Sequence, residues 1–180
     1  PTTPAAAIRI DEVFASNEGQ ILRGNGTPDF IEILALQALT DLSNWSVSRA
    51  DRTNRVVLPA GTRLEQGDRL VVWFGEAAPG DLATDVRLDS QSGVVVVQDA
   101  VGSRRAVFAY GPQAAGWSVG FPTTGSAPTL LTPTPGAPNI AASTAPQAQL
   151  SLNEWLANPG SGESDFIELF NRHDQLPVYL

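Results

Sequence analysis

Short apolar runs separated by turns follow one another along most of the chain, and they predict β-strands. The runs are rich in β-branched and aromatic residues, and turn residues separate them at intervals of roughly eight to twelve positions. The predicted strands cover residues 8–15, 29–36, 45–48, 55–58, 69–74, 86–88, 94–97, 105–110 and 117–121. No segment has the period of a helix. The pattern therefore predicts an all-β protein with a sandwich or barrel architecture.

The first predicted strand carries an acidic residue among its apolar positions. Side chains alternate between the two faces of a strand, so Ile8, Ile10 and Phe14 are predicted to share one face, and Glu12 falls on that same face. Glu32, in the next strand, is directed inward as well. The alternation therefore places two carboxylates toward the interior of a sandwich, where a partner must satisfy each of them.

The opening of the chain is repeated near its end. The tetrapeptide Asp-Phe-Ile-Glu at residues 29–32 recurs at 165–168, an offset of 136, whereas Ile10 matches Leu152 with an offset of 142. The loop between the two strands is therefore six residues shorter in the second copy. The repeat predicts one complete module, of ordinary domain size, and the start of another. The predicted boundaries are a linker at 1–7, a module at 8–139, a linker at 140–149 and the N-terminal fragment of a second module at 150–180.

Two stretches rich in Gly and Pro are predicted to lie on the surface. Residues 18–28 form a Gly-rich loop, which is predicted to vary in length without contacting the core. Residues 122–139 consist largely of Thr, Pro, Gly and Ser, and the residue before each proline is restricted to extended geometry. We call this second stretch the clasp, because it is predicted to run along the surface rather than join a sheet centrally.

The net charge of −8 and the absence of cysteine limit the classes of function. General nucleic-acid binding is not expected, because it depends on clustered positive charge. Five arginines form either a basic patch on one face or ordinary solvated strand and turn charges: Arg49, Arg52, Arg55, Arg104 and Arg105. Without cysteine there is no disulfide or thiol chemistry. The chain also lacks a run of about 18 apolar residues that would predict a membrane span.

The residue types that most enzymes use for catalysis are missing from the first module. His173 is the only histidine and lies in the second copy, so the first module has neither an imidazole base nor a Ser-His pair. The sequence contains no zinc-type spacing of His or Cys and no phosphate loop of the P-loop type. Two carboxylates suffice for glycoside hydrolysis, but nothing marks a cleft between them. The protein is therefore predicted not to be an enzyme.

Acidic residues that recur in both copies are the best candidates for a site. They are Glu12, Asp29 and Glu32, with counterparts Glu154, Asp165 and Glu168. If the first two strands are neighbours, these carboxylates can converge on a hard cation such as Ca²⁺, which takes about six to eight oxygen ligands. Three carboxylates are too few without loop carbonyls. The alternative is a structural role, in which Glu12 and Glu32 accept hydrogen bonds from backbone N–H groups or from an arginine.

Exposed aromatic residues would indicate a platform for a sugar or a peptide. The candidates are Trp73, Phe74, Tyr110, Trp117 and Phe121, and the two-residue period places at least half of them in the core. Trp73 and Phe74 are adjacent and are predicted to point to opposite faces of their strand. One of the two is then either exposed or covered by the clasp.

Several short motifs occur in a fixed order along the first module. They are Asp11-Glu12, Asp29-Phe30-Ile31-Glu32, Asp41-Leu42-Ser43-Asn44-Trp45, Leu58-Pro59-Ala60-Gly61-Thr62, Leu70-Val71-Val72, Ser118-Val119-Gly120 and Thr134-Pro135-Gly136-Ala137-Pro138-Asn139. In this order they resemble the lamin tail domain found in large bacterial secreted proteins, over about residues 8–139 and again from 150 to 180. The chain departs from the family where Asp11 stands for Asn and Phe30 for Trp. The second copy lacks a counterpart of Trp45.

The resemblance implies an immunoglobulin-like β-sandwich with a non-catalytic role as a spacer or as an adhesion or recognition module. It implies an extracellular or cell-surface location in a larger bacterial protein. The implied partners are a protein or carbohydrate ligand and neighbouring domains of the same polypeptide, with no cofactor unless calcium is bound. The alternatives are a calcium-dependent binding module and an accessory domain of a secreted nuclease or other hydrolase.

The second copy is predicted to form two strands without the rest of a sandwich. Residues 150–180 should then form a hairpin that exposes Trp155, Phe166 and Phe170, unless it docks on the first module or on another chain. Unpaired strand edges favour such association.

Overall fold

The structure is a computed structural model that describes residues 6–179, which are almost entirely strand, turn and loop. The chain divides into two compact units, with the boundary after Ala141. The described residues contain no α-helix and one 3₁₀ turn, Gln147–Gln149, so the all-β prediction is confirmed. Within this same range no helix is long and apolar enough to cross a membrane.

The strands of the first unit build two sheets and one short ribbon. They are β1 (Ile8–Phe14), β2 (Asp29–Ala35), β3 (Thr40–Asp41), β4 (Ser46–Arg49), β5 (Arg55–Val57), β6 (Arg63–Leu64), β7 (Arg69–Phe74), β8 (Ala83–Thr84), β9 (Gly93–Gln98), β10 (Arg104–Tyr110), β11 (Ser118–Gly120), β12 (Thr129–Thr132) and β13 (Ile140–Ala141). The larger sheet has the order β13-β12-β11-β1-β2-β7-β8, the smaller sheet has the order β10-β9-β4-β5, and β3 pairs with β6. Strands β1 and β2 therefore lie inside the larger sheet, with neighbours on both sides.

The two sheets enclose one shared hydrophobic core, which is the arrangement of a β-sandwich. The larger sheet contributes residues such as Val13 and Ile31, and the smaller sheet contributes Val47, Val95 and Val97. All five are completely buried. Burying a side chain of this size stabilises the fold by roughly 1.5–3 kcal/mol, so the β-branched runs that predict the strands also supply the core.

A β-bulge in β1 changes which residues face this core. The register between β1 and β2 shifts between Ile10 and Glu12, so the inserted residue, Asp11, has no paired residue in β2. Ile10 and Val13 pack in the main core, while Phe14 belongs to a separate cluster on the opposite face of the sheet. Glu12 and Phe14 are two residues apart in the strand, so Glu12 lies on the same outer face as Phe14. The prediction that Glu12 shares a core-facing side with Ile10 was wrong, because simple alternation does not anticipate a bulge. The prediction that Glu32 is directed inward was also wrong, because Ile31 and Ile33 on either side of it pack in the main core, which leaves Glu32 on the outer face.

The outer face of the larger sheet carries a smaller cluster beneath the loop at residues 18–28. It consists of three aromatic residues in edge-to-face contact, Phe14, Phe30 and Trp73. Ile21 of the loop packs on this cluster, and the Arg23 guanidinium lies 5.4 Å from the centre of the Trp73 ring. The prediction that this loop does not contact the core was therefore wrong for the outer cluster, on which Ile21 packs. Trp73 and Phe74 point to opposite faces, as predicted, and Phe74 lies in the main core. The prediction named the clasp as a possible cover, whereas the loop at residues 18–28 packs on the Trp73 side.

The clasp contributes strand β12 near one edge of the larger sheet. Strand β12 pairs with β11, and β13, which lies in the predicted linker, pairs with β12. The connection between them contains a turn closed by a hydrogen bond from Ala137 N to Thr134 O, 2.9 Å long. The strand predicted at residues 86–88 is absent, although Leu88 is buried there.

The second unit contains one hairpin among its described residues, formed by β14 (Leu150–Leu156) and β15 (Phe166–Asn171). Its register repeats that of β1 and β2, because all six residue pairs recur with offsets of 142 on the first strand and 136 on the second. Glu154 pairs with Glu168 as Glu12 pairs with Glu32, and a register shift precedes both pairs. The repeated sequence therefore forms the same local geometry twice, including the bulge.

Candidate functional site

Two glutamates lie side by side on the outer face of the larger sheet. Glu12 in β1 is paired with Glu32 in β2, and both have 0% exposed surface. Directly paired residues of an antiparallel sheet have Cβ atoms about 4.5–5.5 Å apart, so the two carboxyl groups are close neighbours. We call Glu12 and Glu32 the glutamate pair. Burying two acids together is costly unless each carboxyl group finds hydrogen-bond donors.

The clasp and β11 supply those donors. Glu12 Oε1 accepts hydrogen bonds from the Ser118 hydroxyl and from the Thr134 backbone N–H, the latter 3.2 Å long. Glu32 Oε2 accepts from the Gly136 N–H at 2.7 Å. These hydrogen bonds attach the clasp to the sheet through both acids.

The sequence of the clasp explains why its N–H groups reach the glutamate pair. Thr134 to Ala137 form a β-turn with Pro135 and Gly136 at its two central positions. Proline fixes φ at the first central position of a type II turn, and glycine accepts the positive φ required at the second. Gly136 has φ of +80°. The turn thus holds the Thr134 and Gly136 amides in place over two neighbouring strands.

Arg69, at the start of β7, is the counter-charge of the site. Its Nε lies 2.9 Å from Glu32 Oε1, which is an ion-pair distance, but the two atoms are not aligned as a hydrogen bond. Its Nη2 lies 3.3 Å from Asp11 Oδ2. Asp11 is also paired with Arg9 and accepts a hydrogen bond from Asn139 Nδ2 at 3.3 Å. Asp11 and Glu32 therefore share Arg69, and Asp11 has Arg9 as a second partner.

Burial changes the protonation of the glutamate pair. Loss of hydration raises the pKa of Glu12 to about 7, although hydrogen bonds from Ser118 and Thr134 act in the opposite direction. Loss of hydration raises the pKa of Glu32 to about 8, where the Gly136 N–H lowers it and the charge of Glu12 raises it further. Because two adjacent carboxylates repel each other, the pair retains a proton near neutral pH.

Asp29 lies apart from the glutamate pair. It is three residues from Glu32 on the same strand, which places it on the opposite face, and it is also completely buried. Its carboxylate accepts two hydrogen bonds from Arg87, at 2.8 and 3.2 Å, and one from the Leu88 N–H at 3.1 Å. Burial raises the pKa of Asp29, and the Arg87 guanidinium opposes that shift. Asp29 therefore anchors the segment after β8 to the start of β2.

Of the three acids proposed as weak metal ligands, Glu12 and Glu32 are neighbours, and Asp29 lies on the opposite face of the sheet. Among residues 6–179, no group of three or more His, Cys, Asp or Glu side chains is arranged to hold a metal ion. The groups named by the alternative interpretation, backbone N–H groups and an arginine, are the ones that contact Glu12 and Glu32. Ser118 and Asn139 were not anticipated as partners, although both lie in motifs that support the family resemblance.

Several of the arginines considered for a basic patch have aspartate partners. Arg49 and Arg52 both contact Asp51, at 2.8 and 3.6 Å, and Arg105 contacts Asp99 at 2.6 Å. Opposite charges at these distances offset the positive potential that a nucleic-acid surface requires.

No protein-family model and no curated protein matches the chain.

Replacing Asp29 by alanine is expected to destabilise the first unit by roughly 2–4 kcal/mol, because the Leu88 N–H and the Arg87 guanidinium lose their acceptor. Asp165 is the counterpart in the second unit and is exposed, so Asp165→Ala is a matched control, expected within about 0.5 kcal/mol of the unchanged protein. Urea unfolding followed by circular dichroism measures both effects. Equal unfolding midpoints for the two variants would show that Asp29 is not an anchor.

Proposed function

We propose that the chain belongs to a tandem array of lamin-tail-like modules with an immunoglobulin-like fold. One complete module spans residues 8–139, and residues 150–180 are the N-terminal fragment of a second module. The observation that carries the proposal is the recurrence of the β1–β2 register, bulge included, in β14 and β15. Repeating a module lengthens the protein and increases the number of binding sites, but it does not add a catalytic activity. The repeat therefore favours a spacer or a recognition unit.

A non-catalytic role is supported by what the acids and the histidine already contact. Glu12, Glu32 and Asp29 are buried and engaged by donors of the fold, so they are not presented to a substrate. The Nδ1 atom of His173 accepts hydrogen bonds from two backbone N–H groups of its own turn, at 3.2 and 2.9 Å. The proposed role is that of a spacer or an adhesion or recognition module for a protein or carbohydrate ligand. We place it in a larger extracellular or cell-surface bacterial protein.

A combined turnover and calcium test on the full chain separates this role from its alternatives. The protein is expected to release no product from nucleic-acid, glycan or peptide substrates. Calorimetry with calcium chloride is expected to show no binding heat, because protein donors already occupy the acids. Turnover that Glu12→Gln abolishes would make the module a hydrolase domain instead. Calcium heat that the same substitution abolishes would make it a calcium-dependent module.

Recognition and spacing are then distinguished on an array of glycans and extracellular proteins. Saturable binding to one ligand class assigns recognition, whereas a uniformly negative array assigns the spacer role. Glu18→Gln, a substitution on the exposed loop of the same unit, is the matched control for Glu12→Gln in all of these assays.

A further inference from the structure

The first unit has one long strand at a sheet edge, β10. The other strands at the edges of its two sheets are short, since β5 has three residues and β8 and β13 have two each. Strand β10 has seven residues and pairs only with β9 within residues 6–179. In the same range its backbone forms no hydrogen bond to other backbone groups outside that pairing. Because short edges resist strand addition and long open edges permit it, β10 is the edge of the first unit that suits an added strand.

Most of the β10 edge is regular. Its register with β9 shifts once, between Arg104 and Ala106, and continues without interruption over residues 106–110. Val107 and Ala109 point to the outer face of the smaller sheet and are exposed, Val107 to 52%, whereas the residues that alternate with them pack in the main core. A strand added at this edge would therefore continue both the rim of the core and the apolar outer face.

The start of β10 is positively charged, although the chain as a whole has a net charge of −8. Arg104 and Arg105 lie at the register shift, and both are exposed. Arg105 contacts Asp99 at 2.6 Å, but Arg104 has no ion pair in the part of the chain that the structure describes. The strands of the smaller sheet contain no Asp or Glu, while arginines occur in β4, β5 and β10. An acidic residue on the added strand would thus complement this end of the edge.

The segments of this chain that flank the first module do not carry that acid. Residues 1–7 and 122–149 contain no charged residue at all. The two surface segments within the module, the loop at residues 18–28 and the clasp, pack on the larger sheet instead. The complementary charge therefore has to come from outside the module and its linkers, and a separate ligand protein is the source that a recognition module requires.

We propose that β10 is the edge at which a ligand protein adds an antiparallel strand whose C-terminal end is acidic, an inference that rests on the recognition role proposed above. The backbone of the added strand pairs with residues 106–110. Its apolar side chains lie beside Val107 and Ala109 on the outer face. Because antiparallel strands place the end of one beside the start of the other, its acids lie beside Arg104 and Arg105. Backbone hydrogen bonds supply the affinity, and the acids select the direction of the strand.

The probe is a fluorescently labelled peptide with blocked ends and the sequence Ser-Thr-Val-Thr-Val-Thr-Glu-Glu, titrated into the full chain. Saturable binding is expected, with amide shift changes in the nitrogen–proton spectrum concentrated on residues 104–110. Hydrogen exchange should slow at alternate amides of residues 106–110, because every second N–H of an edge strand faces the free side. This exchange pattern distinguishes strand addition from contact with the face of the sheet.

Changes of charge test the acidic end of the strand. A peptide with Gln in place of both Glu residues is expected to bind about threefold more weakly. Arg104→Gln should weaken binding of the original peptide by a similar factor, and combining the two changes should add little, because they remove one interaction. Moving both Glu residues to the N-terminal end of the peptide should weaken binding as well. Arg63→Gln removes an exposed arginine outside the smaller sheet and is the matched control, which should not change binding.

Several results would each overturn the proposal. They are the absence of saturable binding, shift changes located away from β10, and equal binding of the Glu and Gln peptides. Binding that appears only after Glu154 and Glu168 are replaced by Gln would show that acids of this chain, or of a second copy, already occupy the edge. Dextran sulfate that displaces the peptide without slowing exchange at residues 106–110 would assign the arginines to an anionic polymer.

Failure of the edge proposal is distinguishable from failure of the recognition role. Ligand binding on the protein and glycan array without peptide binding leaves the recognition role intact and overturns only the assignment of β10. Substrate turnover or calcium heat would overturn the proposed function, whereas peptide binding with the expected exchange pattern would still support the edge.

Discussion

Gly120→Ala is expected to destabilise the first unit by about 3 kcal/mol or more, because no space exists for one additional methyl group. A Cβ atom at Gly120 would lie 2.1 Å from the Asp11 carbonyl oxygen and 2.8 Å from Glu12 Cα. Both are backbone atoms, so no side-chain rotation relieves the contact. The Asp11 carbonyl also accepts the Phe121 N–H at 2.9 Å and the Asn139 amide at 3.0 Å. Separating β1 from β11 therefore breaks hydrogen bonds as well.

The physical reason for this glycine is the bulge in β1. The inserted Asp11 directs its carbonyl toward β11, and only a residue without a side chain can face it there. Gly111 is the matched control, because a Cβ atom there meets nothing within 4 Å and its φ is not positive. Gly111→Ala is expected to leave the urea midpoint nearly unchanged. If the two alanine variants unfold at the same urea concentration, the close approach of β1 and β11 is not what requires glycine.

The strand pattern was largely predictable, since long runs of β-branched and aromatic residues report burial directly. The predicted strands at 8–15, 29–36 and 69–74 differ from β1, β2 and β7 by no more than one residue at either end. Strand β12 was missed because Thr129–Thr132 lies between prolines, which are loop signals. Its pairing with β11 is set by tertiary contacts. The ribbon of β3 and β6 has two residues in each strand, too few to show any period.

The site was predictable only in part. Repetition in both copies selected Glu12 and Glu32, but the face of Glu12 could not be derived, because a bulge is a property of strand register rather than of local pattern. Thr134 and Gly136 act through backbone N–H groups, which leave no signature in side-chain chemistry. The available signal was the Pro135-Gly136 turn. The sequence predicts the geometry of this turn, but it does not predict that the turn lies over β1 and β2.

The first unit is expected to lose stability as the pH rises from about 5 to about 8, because burial raises the pKa of Glu12 to about 7 and of Glu32 to about 8 from the usual 4.5. Below pH 4.5 each carboxyl is protonated in both folded and unfolded chains, so neither contributes a pH dependence. Between 4.5 and the raised value, the folded state holds a proton that the unfolded state has released. The unfolding free energy then falls by about 1.4 kcal/mol per pH unit for each such group. Above about pH 8 both states are ionised, and the dependence levels off.

The other acids of the unit that have shifted pKa values either add to this trend or act outside its range. Burial raises the pKa of Asp29 as well, which gives the same sign. Hydrogen bonds and nearby arginines hold the pKa values of aspartates such as Asp41, Asp51 and Asp81 below the usual 3.8. Those groups contribute stability above pH 3.8 and lose it only on further acidification, so they do not affect the slope above about pH 5.

Glu12→Gln isolates one member of the glutamate pair. The neutral amide oxygen can accept the hydrogen bonds of Ser118 and Thr134, as the protonated acid does, so stability near pH 5 should be close to that of the unchanged protein. At about pH 8 the variant should be the more stable protein, because it has no buried charge at this position to desolvate. Urea unfolding at pH values from about 5 to about 9 measures both slopes, with Glu18→Gln as the exposed control. A stability that rises with pH over this range, or a slope that Glu12→Gln leaves unchanged, would show that Glu12 is ionised in the folded protein and that the clasp rests on a charged acceptor.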